Sequence, residues 1–153
     1  MARMQVPTDP ITSERMKRVR RRHTKPEVKL RKLLWSQGLR YRCNFAGLPG
    51  SPDLVNRREG WAIFVNGCFW HGHHGCKRAT IPKQNTAFWE EKISANRQRD
   101  MAKITALRQL GLEVVTVWEC EIEKIDTLGF DHACPQLLAL LNRLKARQPA
   151  REE

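Results

Sequence analysis

The sequence predicts an α/β fold, and three observations carry that prediction. An unbroken apolar run at 61–65, WAIFV, reads as a buried strand. A helical period follows at 87–110, and a valine-rich strand comes after it at 112–118. Glycine, proline and asparagine clusters fall between these segments and leave no domain linker. At 153 residues the chain is one domain by length, large enough for a real core. It divides into a flexible arm at 1–12, a single domain at 13–147 and a frayed tail at 148–153.

The elements follow in order. Residues 1–11 carry two prolines and no periodicity. Residues 15–22, RMKRVRRR, form a basic helix capped by Thr12 or Ser13, or else a solvated tail. Their functional reading is an arm on DNA phosphates, with Met16 as the one long apolar side chain able to wedge between bases. Thr24-Lys25-Pro26-Glu27 has capping-box spacing with proline in the first turn. Val28, Leu30, Leu33 and Leu34 give that helix an apolar face, and Gly38 ends it. Residues 39–43 alternate as a strand, 47–52 form a rigid turn, and Asp53-Leu54-Val55 opens a second strand. The turn at 57–60 returns it into the run at 61–65. The helix at 87–110, capped by Asn85 or Thr86, turns Phe88, Trp89, Ile93, Met101, Ile104, Leu107 and Leu110 to the core. Gly111 closes it, and the strand at 112–118 belongs in the middle of the sheet. Residues 121–133 read as a loop of unclear form, and the leucines from 137 to 144 mark a last amphipathic helix.

Charge narrows the partner. Lysine and arginine number 28 against 16 acids, a net charge of +12 that points to a polyanion, most simply nucleic acid. No apolar stretch approaches the ~20 residues of a membrane span, and the N-terminus lacks the apolar core of a secretory signal. These features describe a cytoplasmic protein with reduced thiols. Five cysteines are an odd count, which suits metal ligation better than a disulfide framework. Cys43 and Cys134 stand apart as small core residues.

The chemistry gathers behind the strand at 61–65. Cys68-x4-His73-x2-Cys76 is compact enough to wrap one soft ion, and Cys120, at the end of the second apolar strand, is the natural fourth ligand for tetrahedral zinc. His71 and His74 compete with His73 for that place. His71 is either a ligand or a free imidazole able to deprotonate water. Asp53, behind a proline at the mouth of a hairpin, can hold Mg²⁺ or can be a plain turn residue. Glu27 is either a helix cap or a carboxylate reaching a nearby site. Phe69-Trp70 and Phe88-Trp89 are core pairs or base-stacking rings.

Four stretches together resemble one family. Gly-Leu-Pro-Gly-Ser-Pro-Asp (47–53), Phe-Val-Asn-Gly-Cys-Phe-Trp-His-Gly (64–72), Phe-Trp-x-x-Lys-Ile-x-x-Asn-x-x-Arg-Asp (88–100) and Val-Trp-Glu-Cys (117–120) are similar to motifs of the very-short-patch repair (Vsr) DNA mismatch endonucleases. The resemblance runs from about residue 13 to 121. It implies a restriction-endonuclease-like fold, a mixed sheet flanked by helices with a structural zinc. It also implies Mg²⁺-dependent nicking of one strand of mismatched double-stranded DNA, 5′ to the thymine of a T:G mispair left by deaminated 5-methylcytosine. The implied setting is a bacterial monomer at the nucleoid, in contact with mismatch-repair proteins.

Residue by residue, the resemblance makes Asp53 and the Val65 carbonyl the Mg²⁺ ligands and His71 the general base. Glu27 and Asp100 become supporting polar residues, and Cys68, His73, Cys76 and Cys120 zinc ligands. Phe69, Trp70 and Trp89 become a major-groove wedge, with Met16 entering the minor groove and Lys92 and Asn96 reading bases. Two departures stand out. Asn66 occupies a place where family members often carry Asp or His, and an amide is no base at neutral pH. Two residues separate His73 from Cys76 where relatives tend to have one, so either the loop carries an insertion or His74 takes the ligand's place. The alternatives are a nuclease of the same fold with another mismatch or sequence target, and a catalytically weak zinc-containing DNA-binding protein.

Overall fold

The computed structural model describes residues 23–148. The expectations for the arm, the helix at 15–22, Met16 and the tail beyond 148 lie outside those residues.

Helix α1 spans Lys25–Ser36, with Thr24 as its N-cap accepting the Glu27 N–H at 3.4 Å. Only half of the expected capping box forms. The Glu27 carboxylate reaches back one residue further, to the His23 N–H at 3.0 Å. Strands β1 (Arg42–Cys43), β2 (Leu54–Asn56) and β3 (Trp61–Asn66) form an antiparallel meander. Helix α2 (Thr86–Gln109) then crosses to β4 (Glu113–Trp118), which pairs parallel with β3. Helices α3 (Glu119–Ala133) and α4 (Pro135–Arg147) complete the chain. The sheet order is β1-β2-β3-β4, so it is mixed.

Side-chain alternation sorts the sheet into two faces. Leu54, Trp61, Ile63, Val115 and Val117 pack with Leu30 and Leu34 of α1, Ile122 of α3 and the α4 leucines 137, 140, 141 and 144. Val55, Ala62, Phe64 and Val114 meet Leu107 of α2 on the other side. Burial on both faces explains the apolar run of β3, whose first four residues are all buried. Among the described residues no helix is long and apolar enough to cross a membrane.

Five expectations need correction. β4 is not central: it lies at the end of the sheet, and helices over both of its faces account for its apolar sequence. β1 is two residues long rather than five. The stretch 121–133 is helical, broken by Gly129 at φ 73°, ψ 170°, a kink that hid its period. Cys43 is exposed rather than core, because nothing covers the short edge strand on which it sits, whereas Cys134 is buried. Met101 and Leu110 are 69% and 60% exposed, because α2 covers the sheet with one narrow face and both fall outside it.

The two ends of this scale give a test. Leu140→Ala, at a fully buried α4 position, should lose about 2–5 kcal/mol in urea unfolding. Met101→Ala should stay within about 0.5 kcal/mol of wild type.

Candidate active site and metal centre

β3 and β4 run parallel in register, with Asn66 opposite Trp118. Each strand therefore delivers a cysteine two residues later, Cys68 from one and Cys120 from the other. The loop after β3 curls back through His73 N–H donating to the Cys68 carbonyl at 2.9 Å and Cys76 N–H donating to the His73 carbonyl at 3.3 Å. Ligand atoms of Cys68, His73, Cys76 and Cys120 all lie within 4.8 Å of one another. His73 Nδ1 is 3.4 Å from Cys120 Sγ. Bonds of ~2.3 Å to sulfur and ~2.0 Å to nitrogen require tetrahedral edges of roughly 3.5–3.8 Å, so the set fits a soft divalent ion.

The chemistry of the donors fits as well. Burial pushes the Cys68 and Cys120 thiols up, while the Arg78 backbone amide holds Cys76 low. Three thiols in one small pocket ionise together only around a cation. His73 stacks on Trp118 at 4.2 Å and 6°, which sets its ring plane, whereas His74 is exposed. Of the two histidines left open by the sequence, the fold brings His73 to the cysteines.

A second constellation lies one turn of loop away. The Asp53 carboxylate, just before β2, accepts the Val65 N–H at 2.7 Å. Burial pushes Asp53 up to about 6, with the Val65 amide pulling it down. The charge of Glu27 raises it, and those of Arg31 and His71 lower it. Oxygen donors half-withdrawn from water suit a hard divalent cation.

Glu27 is buried and paired with Arg31 at 3.2 Å. It sits in the first turn of α1, where its carboxylate also accepts the His23 N–H. Asn66, also buried, closes β3 on the α2 side beside Asp100.

Helix α2 holds the loop along one stripe. The imidazole of His71 meets Asp100 at 2.5 Å through Nδ1, which leaves Nε2 free. Four residues earlier, Asn96 Nδ2 donates to the Trp70 carbonyl at 2.8 Å, and Arg99 bonds the Asn96 oxygen. Asn96 thus grips the loop with the amide assigned to base reading, and Lys92 Nζ sits 5.8 Å over the Trp70 ring. Phe69, Trp70 and Trp89 form an edge-to-face cluster with centroids 5.2–6.0 Å apart, the first two half-buried. Sequence reasoning missed Arg31, which the i,i+4 spacing from Glu27 could have revealed. It also missed Trp118 behind His73 and Glu119, whose carboxylate accepts the Cys68 N–H at 3.3 Å.

Comparison with known proteins gives the family. Residues 4–78 match the family model described as DNA mismatch endonuclease Vsr. The type II nicking enzyme V.NmeAIP of Neisseria meningitidis is 45% identical over 71% of this chain and 76% of its own length. V.XorIIP of Xanthomonas oryzae is 43% identical over 79% and 91%. The DNA mismatch endonuclease Vsr of Escherichia coli is 44% identical over 72% and 70%. The chain belongs to the Vsr family. Within this Vsr chain, the matched segment ends just past Cys76, so it takes in Asp53, His71 and three of the four clustered ligands.

Close contact between loop and helix is itself testable. Gly72 has φ +61°, and a Cβ there would stand 2.7 Å from Ile93 Cγ2, a buried, branched side chain. Gly72→Ala should cost about 1–3 kcal/mol in chemical denaturation, from overpacking and left-handed backbone together. A variant as stable as wild type would show that the loop does not need this approach.

Proposed function

We propose that this chain nicks one strand of duplex DNA 5′ to the thymine of a T:G mispair, opening repair of deaminated 5-methylcytosine. On this reading its mixed sheet is a restriction-endonuclease-like core, with the catalytic groups where β2 begins and β3 ends. One observation carries the proposal: at the end of β3 the Val65 N–H donates to Asp53 at 2.7 Å, and six residues on the His71 ring meets Asp100 at 2.5 Å.

Asp53 and the Val65 carbonyl would hold Mg²⁺. When bound there, its chemistry is to neutralise charge on the phosphate and the departing 3′ oxygen and to acidify water. The residues supply the rest. A proton on Nδ1 satisfies Asp100, so His71 presents Nε2 as the base that takes a proton from the attacking water. Asp100 orients the ring and stabilises it once charged. Glu27, anchored by Arg31, keeps negative potential beside Asp53. The products carry 5′-phosphate and 3′-hydroxyl ends.

Phe69, Trp70 and Trp89 would stack into the mispaired step, which opens more easily than a paired one. Lys92, beside the Trp70 ring, is placed to read base edges, and Asn96 reads them or positions Trp70. Cys68, His73, Cys76 and Cys120 would hold zinc, which stiffens the corner carrying wedge and base.

Asp53→Ala and His71→Ala should each lower nicking of a T:G hairpin duplex in Mg²⁺ by at least ~10²-fold while binding persists. Full activity in either variant removes that residue from the chemistry. Wild-type protein that binds the mispair in Mg²⁺ without cutting would instead be a DNA-binding member of the family. Metal analysis should return one zinc per chain, and stripping it with a strong chelator should lower the melting temperature by several degrees. An unchanged melt would remove the metal from the fold's support.

A further inference from the structure

Away from the carboxylate and imidazole, a groove of about 560 Å³ opens along the edge of the sheet. Phe45 and Val55 form its floor, and Arg40, Arg42, Arg57 and Arg58 its rim. All four arginines are exposed, and among the described residues none pairs with a carboxylate. Like charges gathered this way repel, so folding gains nothing from the grouping.

The rim is nevertheless built. The Arg40 guanidinium lies 3.7 Å from the Trp35 ring centroid, and that of Arg42 lies 5.8 Å from Phe45. Asn56 Nδ2 donates to the Arg40 carbonyl at 2.9 Å, and the Glu59 N–H donates to Asn56 Oδ1 at 2.9 Å. The first ties the β2–β3 hairpin to the segment leading into β1, and the second fastens the hairpin's own turn. Stacking and tethering leave less side-chain freedom to lose when an anion arrives.

We propose that this groove holds the phosphate backbone of the same duplex on one flank of the nick, an inference that rests on the function proposed above. Planar guanidinium forks match phosphate oxygens two at a time. The reach is right. Arg57, in the turn that follows β2, lies four residues beyond Asp53, an extended span of ~13 Å at ~3.3 Å per residue. One strand of DNA presents a phosphate every ~3.4 Å of axis, so the flank contacted begins roughly four base pairs from the cut. β1 is an edge strand, so the rim is open to a duplex passing along the side of the sheet while its cut site stays at the catalytic end.

The test is a salt series of binding measurements by fluorescence anisotropy. T:G duplexes would carry ~4 or ~14 base pairs on each side of the mispair, the shorter ending near the start of the groove. On the long duplex, wild type should show the steeper dependence of log K on log salt. Arg57→Gln with Arg58→Gln should flatten it by ~0.9 per lost contact, up to ~1.8 for the pair. Both proteins should give one slope on the short duplex, and Arg57→Lys with Arg58→Lys should keep the steep one. Arg42→Gln gives an independent second variant on the opposite wall, and circular dichroism checks that each is folded.

Coincident slopes for wild type and glutamine variants on the long duplex would overturn the proposal and direct the search to an acidic protein partner. The two readings fail separately. A wild type that cuts while its variants share its slope loses only the groove. One that shows the slope difference but never cuts loses only the nicking activity.

Discussion

The parallel pairing of β3 with β4 is the constraint on which the rest depends. Its register sets Asn66 beside Trp118, so the chain leaves the sheet twice at the same edge and carries Cys68 and Cys120 to one point. A one-residue slip would turn each side chain of one strand to the opposite face. It would part the cysteines and turn Ile63 or Val117, both fully buried, from the face packed on α1, α3 and α4 to the face under α2. The hydrophobic pattern that fixes the sheet therefore also brings together the candidate metal ligands, without any separate device. Once that corner is closed, the loop from 68 to 76 has few ways to lie.

What remains of the loop's freedom is removed by α2. Asn96 holds the Trp70 carbonyl and Asp100 holds the His71 ring, one helical turn apart. Gly72 allows the backbone between them to press on Ile93. Trp70 and His71 are thus mounted on one rail, while Asp53, just before β2, is pinned to β3 through Val65. A rigid helix spaced at i and i+4 sets the interval between two functional groups more tightly than a loop alone could. The metal corner fixes one side of the loop and the helix fixes the other.

Much of this was legible in the sequence, and the parts that were not share a cause. β3, α1 and α4 were readable because their apolar spacing answers to one packed face or two. β4 was readable as a strand but not in its position, since burial by helices on both sides writes the same valines at an edge as in a centre. α3 was hidden by the kink at Gly129, and Cys43 misled because a small thiol carries no mark of an uncovered edge. In the site, ligand spacing brought out Cys68, Cys76 and Cys120 but left His73 and His74 equal. The choice falls to Trp118, which stacks on His73 from another strand. Pairings such as Asn96 with Trp70 span 26 residues and leave no local trace.

Asn66 is the position where the structure gives most back. It is buried at the end of β3, and it lines one small cavity together with Asp100, Thr116 and Lys103. A carboxylate there would stand beside Asp100, and two acids so placed would raise one another's affinity for protons. An imidazole there would offer Asp100 a second partner and divide its charge between two rings. The neutral amide does neither. It leaves the Asp100 carboxylate to its contact with the His71 ring. An amide cannot take a proton at neutral pH, but it can keep its neighbours' protons in order. On the function proposed above, the general base would then be His71, held by Asp100 of α2 and not shared with residue 66.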